Sequence, residues 1–149
     1  MYQKILVPLD GSELAEQAIP YATELCKGST EVTLFQVVHF PLSLAAPDVG
    51  MSQPIPNIEA RTKESKEYLG AIAARLRQDG VQVKTATVER DVVADAIVEH
   101  ATEHQCDLIA MTTHGRSGFS RLIFGSVAES VVRHAPCPVL LIRTNTAEA

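Results

Sequence analysis

Five short apolar runs alternate with four helical patterns along the chain. The runs are Lys4 to Leu9, Glu31 to Phe40, Val81 to Val88, Cys106 to Thr113 and Val139 to Ile142. A βαβαβαβαβ order constrains the fold more than any single residue. It predicts a doubly wound α/β architecture, a five-stranded parallel sheet with helices on both faces, because each crossover helix must bury its apolar stripe against one face of the sheet. Ligands of such sheets bind beyond the carboxyl ends of the strands, where the strand order reverses. The first run ends at Leu9-Asp10 and the fourth at Met111-Thr112, so both deliver their loops to that edge.

Local signals set the boundaries. Ser12 is a candidate N-cap for a helix carrying Leu14, Ala15, Ala18, Ile19, Ala22 and Leu25. Pro20 predicts a kink or break within it, and Gly28 a stop. Pro41 to Asn57 holds Pro41, Pro47, Pro54, Pro56 and Gly50, and reads as a long functional or mobile loop. Ile58 to Gln78 has the pattern of a charged amphipathic helix closed by Asp79-Gly80. Val81 to Val88 alternates in a way that suits a strand near a sheet edge. Asp91 is a candidate N-cap for a helix carrying Val92, Val93, Ala96, Ile97 and Ala101. A last helix runs from about Ser126 to His134, Pro136-Cys-Pro138 breaks it, and Thr144 to Ala149 reads as a frayed tail.

At 149 residues and 46% apolar content, the chain reads as one domain, residues 1–149, with a real core. A formal net charge of −5 offers no overall attraction to nucleic acid or to an anionic membrane. Tryptophan is absent, so base-stacking platforms for single strands are not expected. No apolar run approaches a bilayer's thickness, and Met1 to Val7 reads as a first strand rather than a signal peptide. Three cysteines without a CxxC pair point to reduced thiols and a cytoplasmic setting.

The segment Met111-Thr-Thr-His-Gly-Arg-Ser-Gly-Phe-Ser-Arg-Leu-Ile-Phe-Gly-Ser126 carries the chemistry. A strand feeds it and a helix leaves it, the order in which a backbone presents N–H groups to a phosphate. Glycine there admits positive φ and lets an anion approach the bare backbone. Ser126 either caps the helix or turns its hydroxyl to the ligand. His114 and Arg116 either neutralise phosphate charge or are plain loop side chains. Asp10 is either a ribose or metal ligand or a turn residue bonding its own backbone. His39 follows a strand and is either near a base edge or simply half-buried. His100-x-x-Glu103-His104 has the spacing of an inverted zinc-protease helix, but no third ligand is evident and a solvated helix end explains it as well. Cys137 suits packing beside the last strand, and the mixed charges of Arg61 to Lys66 a solvated helix face.

These residues resemble the universal stress protein family over nearly the full length. The likeness rests on Lys4-Ile-Leu-Val-Pro-Leu-Asp10-Gly-Ser12, Met111-Thr-Thr-His-Gly-Arg116, Gly125-Ser126 and Ala135-Pro-Cys-Pro-Val-Leu-Leu-Ile142. The nucleotide-binding branch has the pattern Gly-x2-Gly-x9-Gly-Ser/Thr, which falls here on Thr112, Gly115, Gly125 and Ser126; Gly118 lies between motif positions. Thr112 replaces the first glycine, where its side chain either crowds the ligand or offers a hydroxyl. The resemblance implies an adenine nucleotide alpha hydrolase-like fold, strand order 3-2-1-4-5, and a stress-responsive dimer paired through Val139 to Ile142. It implies ATP or another adenine nucleotide with Mg²⁺ or Mn²⁺. Asp10 would bond the ribose beside Pro8 and Leu9, and Val37 would meet the base. Met111 and Thr112 would lie along ribose and base, and Gly115, Gly125, Ser126 and Val127 would bind phosphates. Occupancy would order residues 116–124 and the 41–57 loop and so present a surface to a partner. The rival readings are a dimeric interaction protein that binds no nucleotide, and a weak ATPase. Against the ATPase stand the lack of a Walker lysine, of an obvious arginine finger and of a placed general base.

Overall fold

The computed structural model describes residues 1–40, 57–113 and 125–144. The elements are β1 (Lys4–Leu9), α1 (Glu13–Glu16), α2 (Ala18–Glu24), β2 (Glu31–His39), α3 (Ile58–Gln78), β3 (Gln82–Arg90), α4 (Val93–Glu103), β4 (Leu108–Thr112), α5 (Ser126–His134) and β5 (Val139–Ile142). The strands form one parallel sheet in the order β3-β2-β1-β4-β5. The reversal lies between β1 and β4, as the loops after Leu9 and Thr112 required.

Alternation along the strands divides the core. Ile5, Val7, Leu9, Val32, Leu34, Leu108 and Ala110 face α1, α2 and α3. Leu6, Phe35, Ile109 and Met111 face α4 and α5. β1 and β4 are buried almost throughout, which is why both faces are apolar rather than alternating with polar residues. β3 lies at the edge, as expected, and exposes Gln82, Lys84, Glu89 and Arg90; Thr85, which the alternation set on the side of Val83, is exposed as well.

Several boundaries differ from the sequence expectation. Ser12 caps α1 as expected, its Oγ accepting the Ala15 N–H at 3.2 Å. The helix then breaks at Gln17, a turn ahead of Pro20. The reason is steric: a proline ring excludes the carbonyl four residues back, here that of Glu16. α2 stops at Glu24 with Leu25 as C-cap, and Gly28 (φ +60) sits in the turn beyond rather than ending the helix. Asp79-Gly80 does close α3: Gly80 (φ +85) donates to the Arg77 carbonyl and Val81 to that of Leu76, a Schellman turn. Asp91 does not cap α4. Val92 holds that position in extended backbone without a side-chain bond, while the Asp91 carboxylate lies 3.8 Å from His39 Nε2. α4 ends in the same turn as α3, with Gln105 at φ 55 in place of glycine and Cys106 N–H donating to Ala101 O.

The tail from 145 and most of the Pro41 to Asn57 loop lie outside the described residues. Asn57 is described and caps α3, its Oδ1 accepting from Ala60 N–H at 3.0 Å.

Candidate functional site

Every site residue expected from sequence and described here lines one cavity of about 920 Å³ at the carboxyl edge of the sheet. β1 supplies Pro8 and Leu9, with Asp10 following; β2 supplies Val37; β4 supplies Met111 and Thr112; the start of α5 supplies Gly125, Ser126 and Val127. His114, Gly115 and Arg116 lie outside the described residues, as does the segment 116–124.

Asp10 serves its own turn. Its Oδ1 accepts the Ser12 backbone N–H at 2.9 Å and the Ser12 hydroxyl. Gly11 between them has φ +87, a conformation open to glycine and strained for other residues. The turn fixes the carboxylate at the cavity wall, so the turn role and a cavity-facing position coexist.

The glycine before α5 works differently from the sequence expectation. Gly125 has φ −52 and ψ 149, so no positive φ demands it. Its N–H donates to the Thr113 carbonyl at 2.9 Å, and a Cβ would stand 3.0 Å from that same oxygen. The missing side chain lets α5 start hard against the end of β4, and the Gly125 amide is occupied within the chain. Gly125 is itself the N-cap, which makes Ser126 the first helical residue and not the cap. Ser126 is exposed, and it opens the first turn of a nine-residue helix, whose N–H groups point out along the axis.

Thr112 is buried and lines the cavity. Strand alternation puts it with Leu108 and Ala110 on the α1–α3 side, opposite Met111. The β-branched side chain therefore leaves the α5 side of the sheet, where the helix amides lie.

Sequence reading missed a polar wall on the α3 side. Ser65, 4% exposed, donates to Gln36 Oε1 at 2.7 Å and lies 3.2 Å from Thr87 Oγ1. The signal was present: Ser65 shares the helical stripe of Leu69, Ile72 and Ala73, and Gln36 interrupts an apolar strand. Tyr68 donates its hydroxyl to Glu16 Oε1 at 2.7 Å. Burial, then this bond and the charge of Glu16, push the phenol well above its ordinary range, so it stays a donor. Arg61 Nη1 donates to the His39 carbonyl at 3.0 Å and also borders the cavity, so it is more than a solvated face.

The two histidines of the zinc-like spacing in α4 make a ring stack. The His100 and His104 rings stack with centroids 4.0 Å apart, and His100 also stacks on Phe35 at 4.4 Å. Among the described residues no group of three or more His, Cys, Asp or Glu is placed to hold an ion. All three cysteines are free thiols. Burial raises Cys106 to about 11 and also raises Cys137, which marks both as packing residues.

Residues 1–143 match the model of the universal stress protein family. Universal stress protein MJ0531 of Methanocaldococcus jannaschii is 35% identical over 144 residues, spanning 96% of this chain and 83% of the relative. The solved structure of MJ0577, a universal stress protein from the same organism, aligns at a TM-score of 0.83 and 28% identity, covering 99% of each chain. A universal stress protein solved in complex with cAMP shares the fold at a TM-score of 0.61 and 23% identity, over 97% of this chain and 98% of that one.

Proposed function

The chain belongs to the universal stress protein family, and from that premise we propose that it binds ATP or a related adenine nucleotide as a cytoplasmic stress-response module. One observation carries the reading: the Asp10 turn, the end of β4 and the first turn of α5 open into a single cavity. The N-terminal turn of α5 suits phosphate, through outward N–H groups and the positive end of the helix dipole. Asp10 suits ribose hydroxyls, and Val37 with Met111 forms an apolar slot for a base. His114, Gly115 and Arg116 complete the phosphate side in this reading.

Binding is favoured over phosphoryl transfer. The basic side chains among the described lining residues, His39 and Arg61, belong to β2 and α3, away from α5. With no metal cage among the described residues, Mg²⁺ or Mn²⁺ would be held chiefly by the phosphate oxygens. The ion would offset phosphate charge in a site that also holds Asp10.

A homodimer forms through β5 in this reading. That strand ends the sheet, and Val139, Leu140 and Leu141 stay only partly buried in one chain. No helix among the described residues is long and apolar enough to cross a membrane, and a formal charge of −5 argues against nucleic acid.

Native mass spectrometry of the purified chain, followed by calorimetry with ATP and Mg²⁺, tests the proposal. Co-purified adenine nucleotide or saturable heat supports it. No nucleotide in the spectra and no heat at millimolar ATP overturns it. Sedimentation at twice the 16.1 kDa chain mass tests the dimer.

A further inference from the structure

Val93 and Ile97 of α4 extend the apolar slot that Val37 and Met111 begin. Two titratable side chains stand at its rim, His39 closing β2 and Asp91 just after β3. His39 Nε2 and Asp91 Oδ1 are 3.8 Å apart, and both side chains remain partly exposed. Arg61 fixes the backbone of this rim by donating to the His39 carbonyl at 3.0 Å.

The sheet supplies a ruler. α5 follows β4, and Asp91 follows β3, three strand intervals away in the order β3-β2-β1-β4-β5. At about 4.8 Å per interval the span is roughly 14 Å. An extended nucleoside polyphosphate with its phosphates on α5 and its ribose at Asp10 therefore brings its base to the slot, with the far edge of the base at Asp91.

We propose that Asp91 reads the base, selecting a purine that carries an exocyclic amine. This rests on the nucleotide-binding reading and adds to it a side chain that sets specificity. A carboxylate only accepts hydrogen bonds, so it rewards an amine donor and gives nothing to a C–H at the same position. Apolar walls around the slot hold any purine ring alike, so discrimination falls to the rim.

The test compares ATP with purine riboside triphosphate, which has hydrogen in place of the amine, by calorimetry on the full chain with Mg²⁺. The wild type binds ATP about tenfold or more tightly than the analogue, the scale of a charge-assisted hydrogen bond. Asp91→Ala abolishes the preference, leaving ATP and the analogue with equal, measurable affinities, which also shows that the cavity is still folded. Asp91→Asn, which keeps an acceptor oxygen, retains part of the preference. Equal, measurable affinities in the wild type, or a preference that survives Asp91→Ala, overturn the role of Asp91 alone. Failure of both nucleotides to bind the wild type overturns the nucleotide reading and this inference with it.

Discussion

Two residues show how one backbone atom decides what a position tolerates. At Gly125 the constraint is the Thr113 carbonyl and not a left-handed turn. Gly125→Ala must push α5 away from β4, and it is expected to cost about 1–2 kcal/mol, as overpacking does, and to weaken ATP binding. Thermal melts and an ATP titration check this; an unchanged melting point would show that α5 can shift freely. At Gln105 the constraint is conformational, since a glutamine holds φ 55 where helix ends favour glycine. Gln105→Gly relieves the crowded Cβ but loosens the unfolded chain, so the net gain is about 0.5–1 kcal/mol. Urea denaturation measures it directly.

Helices α3 and α4 each carry a polar departure from an apolar stripe. In α3 the departure is Ser65, buried against Gln36 and Thr87. Ser65→Ala leaves the Gln36 oxygen without that donor and is expected to lower stability by about 1 kcal/mol, again read by urea midpoint. In α4 it is His100, half-buried between Phe35 and His104. Burial foremost, then the charge of His104, lowers its pKa below the ordinary 6.5, while Glu103 opposes this. The unfolded chain thus takes up this proton before the folded one does. The contribution of His100 is fully present above pH 6.5 and is lost as pH falls through the lowered folded value. His100→Phe keeps the stack on Phe35 and should flatten the fall in urea midpoint between pH 7.5 and pH 5.5.

For the whole molecule, the cavity joins parts remote in sequence, so a ligand there ties β1, β2, β4 and α5 together. ATP at a hundred times its Kd should add about 2.7 kcal/mol to stability, visible as a rise in melting temperature. Its absence at saturating ATP would contradict the proposed site. The fold was largely legible beforehand. Two-sided burial of β1 and β4 leaves continuous apolar runs, and alternation of strand and helix patterns leaves a parallel sheet as the way to bury them. The likeness to the family supplied the strand order. That Asp10, Met111, Gly125 and Ser126 meet at one cavity was legible because strand ends and helix starts have local signatures. What local pattern could not supply was partnership. Whether Asp91 capped α4 or met His39, whether Ser126 or Gly125 took the cap, and whether Ser65 faced solvent or Gln36 all depended on atoms brought close by packing. Periodicity encodes which face of an element is buried, since burial of apolar area is additive along the chain. Hydrogen bonds and close contacts act over a few ångströms between distant segments, so only the folded sheet and its helices decide them.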